Sequence, residues 1–330
     1  MQFIDLKKQY QRIKETVDER IHNVLDHNKY IMGPEVTEAE DKLAEFAGSR
    51  FCVTCSSGTD ALLMPLMAWE IGEGDAVFTS PFTFVATAEV ISLTGATPVF
   101  VDIDERTFNI DVEKLEEAIL KVKKEGKLNP KAVIPVDLFG LPAENNKIEQ
   151  MAAKHDLLML EDAAQGLGGS INGKMNASFG NAGATSFFPA KPLGCYGDGG
   201  AIFTDDGELK QKLESVRIHG KGEQKYDNVR LGLNGRFDSI QAAVIISKLE
   251  IFKDELDKRN EAARKYTDAL KENFITPYIP QGYTSAWAQY SLLAENEAHR
   301  TSLREKLQAR EIPTAVYYPI PLHLQTAYKY

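Results

Sequence analysis

Several things are scarce in this chain. It has three cysteines in 330 residues, an odd number with no framework spacing. That excludes a disulfide scaffold and fits a reducing, cytoplasmic setting. Positive charge is in deficit: 38 Lys and Arg stand against 48 Asp and Glu, giving a net charge of -10. Such a balance argues against nonspecific nucleic-acid binding. No run approaches the ~20 apolar residues of a membrane span. The opening Met1 to Lys8 lacks the apolar core of a signal peptide. The six histidines show no metal-ligand spacing, so no metal is expected. Internal repeats and low-complexity tracts are missing too. What remains is ordinary for a soluble globular protein, with 43% hydrophobic and 26% charged residues. The length allows a full core and two domains.

Apolar residues at Ile13, Val17, Ile21 and Leu25 predict an amphipathic helix from about Leu6 to His27. A second helix over Val36 to Phe46 follows the break at Tyr30–Pro34. From Phe51 onward, short apolar strands alternate with helices. Strands are expected at 51–55, 76–79, 97–103, 132–137, 157–161, 182–188 and 200–204. Helices are expected at 84–93, 112–124, 146–155 and 208–218, with one from Ser56–Asp60 to about Glu70 that Pro65 should kink. This alternation predicts an α/β fold with a mainly parallel sheet and helices on both faces. After Gly235 the texture changes to a long helix, about 239–272, then segments at 286–293, 299–310 and 313–318. The expected division is a large domain over 1–240 and a smaller α+β domain over 241–330.

Three constellations carry chemistry. Lys191 lies between Pro189 and Pro192, just past an apolar strand, with glycines at 194, 197, 199 and 200. Such a frame holds a lysine stiffly; it suits an amine that must meet a carbonyl carbon, or a plain surface turn. Ser56-Ser57-Gly58-Thr59 sits between a strand and a helix, where backbone amides form a phosphate cup or simply a helix cap. Glu161-Asp162-Ala163-Ala164-Gln165 ends a buried strand, at the sheet edge where ligands of open α/β folds bind. Asp162 there can hold a protonated ring nitrogen, or cap a helix with Gln165. An acid for a pyridinium, a lysine for the same ring's aldehyde and a phosphate cup together describe a pyridoxal phosphate site. Ser186 is a further candidate for the phosphate, or a satisfied strand-end hydroxyl.

Six motifs in order strengthen this reading: Gly58-Thr59-Asp60-Ala61, Pro81 to Ala88, Glu161 to Gln165, Ser186 to Lys191, Gly197 to Gly200, and Asn234 to Asp238. Over essentially its whole length the chain resembles the DegT/DnrJ/EryC1/StrS nucleotide-sugar aminotransferases, a branch of the fold type I pyridoxal phosphate enzymes. The resemblance implies that Lys191 binds the cofactor aldehyde and then moves the proton. It implies that Asp162 pairs with the ring nitrogen, Phe84 stacks on the ring and Gln165 touches the phenolic oxygen. Gly58, Thr59 and Ser186 would hold the phosphate, with Asn234 reaching it from the partner subunit of a homodimer. Arg236, Tyr317 and Tyr318 would meet the substrate. The Phe3–Leu6, Tyr30–Pro34 and Tyr317–His323 runs are most similar to enzymes aminating UDP-2-acetamido-2-deoxy-3-keto-hexuronates, with glutamate as donor, for polysaccharide and O-antigen synthesis. Members often have His-Tyr in place of Tyr317-Tyr318. The family also usually continues past Tyr328, so the small domain is expected to be incomplete.

Other readings stay in view. A lyase or desulfurase would need a mobile cysteine, and Cys195 is the one near Lys191. A cofactor-binding regulator without turnover is a third class. Related dehydratases replace the lysine with histidine. Cys52-x-x-Cys55 in a strand points to opposite faces and reads as core, not zinc. Gly166-Leu167-Gly168-Gly169 is not in a first βα turn and does not predict dinucleotide binding. His219 is expected to be structural or near substrate.

Overall fold

In the computed structural model, residues 4–224 and 226–329 are described. Phe3, the start of the Phe3–Leu6 run, lies outside them. Helix α1 (Leu6–His27) starts where the Asp5 side chain accepts the Lys8 amide, and α2 (Pro34–Ala47) follows. Then come β1 (Phe51–Cys55), α3 (Gly58–Ala68), β2 (Asp75–Thr79), α4 (Ala86–Leu93), β3 (Thr97–Phe100), α5 (Val112–Glu125), β4 (Asn129–Ile134), α6 (Asn145–His155) and β5 (Leu158–Asp162). A small pair, β6 (Ser170–Ile171) and β7 (Lys174–Met175), precedes β8 (Ala182–Ser186), β9 (Gly200–Thr204) and α7 (Gly207–Arg217). Last are α8 (Ser239–Leu270), β10 (Tyr283–Thr284) and α9 (Glu297–Gln308). Helix α3 runs through Pro65 without interruption, ending where Trp69 N donates to Pro65 O.

The main sheet has seven strands in the order β1-β9-β8-β5-β4-β2-β3. Neighbours from β8 through β3 pair in parallel; β9 runs against both β1 and β8. Alternate side chains feed opposite faces, as strand geometry requires. Cys52 and Phe203 join α1, α2 and α8 in one core, through Val17, Leu43 and Phe252. Val53, Cys55 and Ile202 join α3, α4 and α7 in another, through Leu66, Ile91 and Leu213. Cys52 and Cys55 therefore lie on opposite faces, both buried, with burial pushing both thiols up. Farther along the sheet, Phe78, Val133 and Met159 pack under α5 and α6.

The C-terminal third holds little strand. Among the described residues no strand forms at 286–293 or 313–318; the one strand there is β10, which pairs with β6. Ile275 and Leu293 share a single bridge, and no neighbouring strand extends it. The first half of α8 is core, with Val244, Ile245, Ile246 and Phe252 buried, so the long helix belongs to both parts of the chain. The segment after β10 crosses the main body: Ala286 N donates to Gly140 O, Gln289 N to Phe139 O, and Leu322 N to Pro81 O. Among the described residues no helix is long and apolar enough to cross a membrane, and no cluster of side chains is suited to a metal ion.

Candidate active site

Five chain segments converge at the carboxyl edge of the sheet, where α/β folds place ligands. They follow β1 (Ser56–Thr59), β2 (Ser80–Phe84), β4 (Pro135–Phe139), β5 (Ala163–Gln165) and β8 (Phe187–Lys191). The phosphate cup is a helix end. Ser57 caps α3, its hydroxyl accepting the Asp60 amide at 3.0 Å, and its carbonyl accepts the Ala61 amide. This leaves Gly58 and Thr59 at the positive end of α3, where backbone amides favour an anion. A Cβ on Gly58 would stand 2.5 Å from Ser186 Cβ and 2.9 Å from its Oγ. Only glycine lets the two strand ends meet this closely, and that brings Ser186 to the cup. Ser56 N donates to Gly235 O at 3.1 Å, so the Asn234–Arg236 segment runs beside the same chain's cup. Asn234 itself is exposed and Arg236 half-buried.

The cluster around Asp162 is the electrostatic centre. Thr87 Oγ1 donates to Asp162 Oδ2 at 2.8 Å, and Ala164 N to Oδ1 at 3.1 Å. Thr83 backs Thr87 at 3.2 Å, one helical turn earlier. Burial pushes the Asp162 carboxyl above its ordinary range; the two hydrogen bonds and Lys191 pull it back. Burial likewise pulls the Lys191 amine below its ordinary range, opposed by Asp162. A desolvated carboxylate and a desolvated amine thus face one electrostatic environment, each lacking the solvent that would normally hold its charge. Such a pair is what a cationic ring and a carbonyl carbon need from a protein. Phe84, 55% exposed, stands at the open side on the turn whose carbonyl accepts the Thr87 amide.

Gln165 is held at both ends of its side-chain amide. Its Oε1 accepts the Phe139 amide at 2.8 Å, and its Nε2 donates to Tyr318 Oη at 3.2 Å. The carbonyl oxygen is therefore already engaged, and the side chain links the β5 tip to the C-terminal segment. Burial pushes the Tyr318 phenol up to about 12, and Gln165 partly offsets this. Tyr317 and Tyr318 pack with Phe82, Phe108 and Phe139 in one aromatic cluster. Arg236 has no described hydrogen bond to these groups. His219 is exposed, with its backbone in the left-handed region at φ 62°. Gly166–Gly169 forms the turn after β5, away from any first βα crossover.

Sequence reasoning missed Thr87 and Phe139. Thr87 had a signal: it follows Thr83 by one helical turn behind a strand end. The Phe139 contact had none, because a backbone amide carries no sequence signature.

The residues present fit pyridoxal phosphate: an amide-lined helix end with Ser186 against Gly58, a buried carboxylate held ionisable by two donors, and a desolvated lysine. The family model described as the DegT/DnrJ/EryC1/StrS aminotransferase family matches residues 11–330. The chain is 47% identical over 328 residues to the UDP-2-acetamido-2-deoxy-3-oxo-D-glucuronate aminotransferase of Pseudomonas aeruginosa, covering 99% of this chain and 88% of that relative. It is 38% identical to a pleiotropic regulatory protein of Geobacillus stearothermophilus, covering 98% of this chain and 86% of that one. Among solved structures, a DegT DnrJ EryC1 StrS aminotransferase from Brucella abortus superposes with a TM-score of 0.98 at 55% identity, covering 100% of this chain and 87% of that one. S. venezuelae DesV, solved in complex with a ketimine intermediate, gives 0.93 at 35% identity over 99% of this chain and 86% of that one. The half-buried Lys191, the buried Asp162, the Gly58 cup and these likenesses agree: the chain is a pyridoxal-phosphate-dependent aminotransferase of fold type I, and it belongs to the DegT/DnrJ/EryC1/StrS aminotransferase family.

Proposed function

We propose that this enzyme moves an amino group from glutamate to a keto group of a nucleotide-linked sugar, a UDP-3-keto-hexuronate, in the synthesis of cell-surface polysaccharide or O-antigen. The observation that carries it is the 47% identity to the Pseudomonas aeruginosa aminotransferase across 99% of the chain. When bound, pyridoxal phosphate supplies an electron sink for the carbon that loses its proton. The chain's own residues supply the rest. Lys191, its amine depressed by burial, takes and returns the proton at the reacting carbon. Asp162 holds the ring nitrogen in its charged form, with Thr87 and Ala164 fixing the carboxylate. Gly58, Thr59 and Ser186 bind the phosphate, and Phe84 covers a ring face. Gln165 orients Tyr318, and Tyr317, Tyr318 and Arg236 meet the sugar.

The proposal includes a homodimer in which Asn234 reaches the partner's phosphate site, a cytoplasmic location, and a division at about residue 240 into cofactor and smaller domains. Cys195 speaks against the desulfurase reading. It is buried, and burial pushes its thiol up to about 11, the reverse of an activated nucleophile. For the regulator reading, the support is that the Geobacillus relative is named a pleiotropic regulatory protein. The test is to convert the bound cofactor to its amino form with glutamate, then add UDP-, GDP- and dTDP-linked keto sugars. Return of the yellow colour with a UDP-3-keto-hexuronate supports the proposal. Return only with another sugar, or no conversion by glutamate, sinks it.

A further inference from the structure

Directly behind Asp162 lies a second polar cluster that the chemistry described so far does not use. Asp137, Asn145, Glu161 and Asn176 are all 0% exposed. Asp137 follows β4, and its amide donates to Asp162 O at 3.0 Å while Asp162 N donates to Pro135 O at 2.8 Å. The two strand ends are therefore stitched together at Asp162. Glu161, the preceding residue on β5, points to the opposite face of the sheet, toward α6. There Asn145 Nδ2 donates both to Asp137 Oδ1 and to Glu161 Oε1, each at 3.1 Å. Ala143 N also donates to Asp137 Oδ1 at 2.9 Å, and Phe179 N to Glu161 Oε2 at 2.9 Å. Asp137 Oδ2 is buried with no N–H or hydroxyl donor. Two ionised carboxylates at 0% exposure, with no cation among the described residues paired to either and one oxygen unsatisfied, would be strongly unfavourable. One proton between them removes the repulsion and supplies the missing donor.

Asp137 also touches what holds Gln165. A Cβ on Gly166 would lie 2.4 Å from Asp137 Cβ and 2.6 Å from Oδ2, so the carboxyl packs on the turn that carries Gln165. Asp137 opens the short 3-10 turn Leu138–Gly140, whose Phe139 amide binds Gln165. We propose that Asp137 and Glu161 share one proton, and that this buried acid pair is a positioning device that fixes Asp162 and Gln165 against the cofactor. This rests on the assignment of those two residues to the cofactor site. The pair also sets charge: one proton leaves a single negative charge behind Asp162, and losing it adds a second that opposes Asp162's own ionisation. Burial pushes Asp137 above the usual carboxylate range, and burial with Asp137 beside it pushes Glu161 well above it. The other titratable groups around the pair are Asp162, which faces Lys191, and Tyr283 on β10, which faces Glu144 and Lys147.

The test uses the full chain, with and without added pyridoxal phosphate, as wild type, Glu161→Gln and Glu161→Leu. Without cofactor, infrared spectroscopy of the wild type should show a protonated-carboxyl stretch that loses one component in Glu161→Gln. An identical band in both overturns the shared proton. With cofactor, Glu161→Gln keeps a donor that cannot ionise. It should bind within about threefold of wild type at neutral pH and hold that affinity at alkaline pH, where the wild type weakens. Glu161→Leu leaves Asp137 unpaired and should bind about tenfold more weakly. Equal losses in both variants, or identical alkaline limbs in wild type and Glu161→Gln, overturn the positioning role. A wild type that binds no pyridoxal phosphate sinks the cofactor reading and the positioning role with it, while the infrared arm still decides the proton.

Discussion

Two carboxylate–cation pairs among the described residues, each with one buried and one half-buried member, are built in opposite ways. Under edge strand β1, Arg217 Nη1 donates to Glu40 Oε1 at 2.6 Å and to Thr54 O at 2.9 Å. Thr54 adds its amide and hydroxyl to the same Glu40 oxygen, at 2.9 and 2.8 Å. At the tip of β5, Asp162 and Lys191 share an environment in which burial shifts both toward their neutral forms. The first pair is joined by direct hydrogen bonds with Thr54 as a third member, and it locks α2, β1 and α7 together. The second is kept short of partners, so that a ligand can complete it. What separates them is direct contact: Arg217 bonds Glu40, whereas no hydrogen bond between Lys191 and Asp162 is described.

Substitutions should separate the two. Lys191→Ala should fold normally and lose at least about 10³-fold in the glutamate half-reaction, followed by the cofactor's absorbance. Borohydride should no longer fix the cofactor to the protein; continued trapping would move the role to another lysine. Arg217→Met should do the reverse. It strands Glu40 and should lower stability by about 3–5 kcal/mol in urea unfolding, with the half-reaction rate of the folded fraction unchanged. Thr87→Val tests the Asp162 side more gently. It removes one donor to a buried carboxylate and should weaken cofactor binding about tenfold, measured by equilibrium dialysis.

Lys248 sharpens the contrast, because it is a cation with neither arrangement. Its Nζ is buried without a hydrogen-bond partner, 4.6 Å from the centre of the Tyr196 ring. Burial pulls its pKa down to about 8. The folded-state pKa lies below the unfolded value of 10.5, so the stability missing at neutral pH returns as pH rises from about 8 to 10.5. Lys248→Met should raise stability at pH 7 by about 2 kcal/mol and flatten that rise. A Met variant less stable than wild type at pH 7 would show that the aromatic contact outweighs desolvation.

Much of this was legible in the sequence. The alternation of apolar strands and helices from Phe51 to Arg217 is local, and its boundaries fall within a few residues of expectation. The prolines marked Lys191 as stiffly framed without saying for what, and Asp162 stood out as an acid at the end of a largely apolar strand. The segments at 286–293 and 313–318 carried no clear type, since a strand needs a partner that only tertiary structure supplies. Gln165 was legible as a site residue, but not its grip on Phe139 and Tyr318. That contact joins residues 153 apart in the chain. Asp137 carried no local mark at all; its meaning comes from lying against Gly166 and Glu161.

Strand β9 has a consequence for how the lysine is delivered. It runs against β8 with Ser186 opposite Gly200, so residues 187–199 form the closed end of a hairpin. Lys191 thus hangs on contacts local in sequence, inside a sheet whose other pairings wait for long crossovers. Phe187 N donates to Gly199 O at 2.8 Å and Cys195 N to Phe187 O at 2.7 Å, which ties the loop across its own width. The lysine's perch is tied across its own width by near neighbours and pinned from outside by α8, where Arg259 Nη2 donates to Pro192 O at 3.2 Å and Gln241 Oε1 accepts the Tyr196 amide at 2.8 Å.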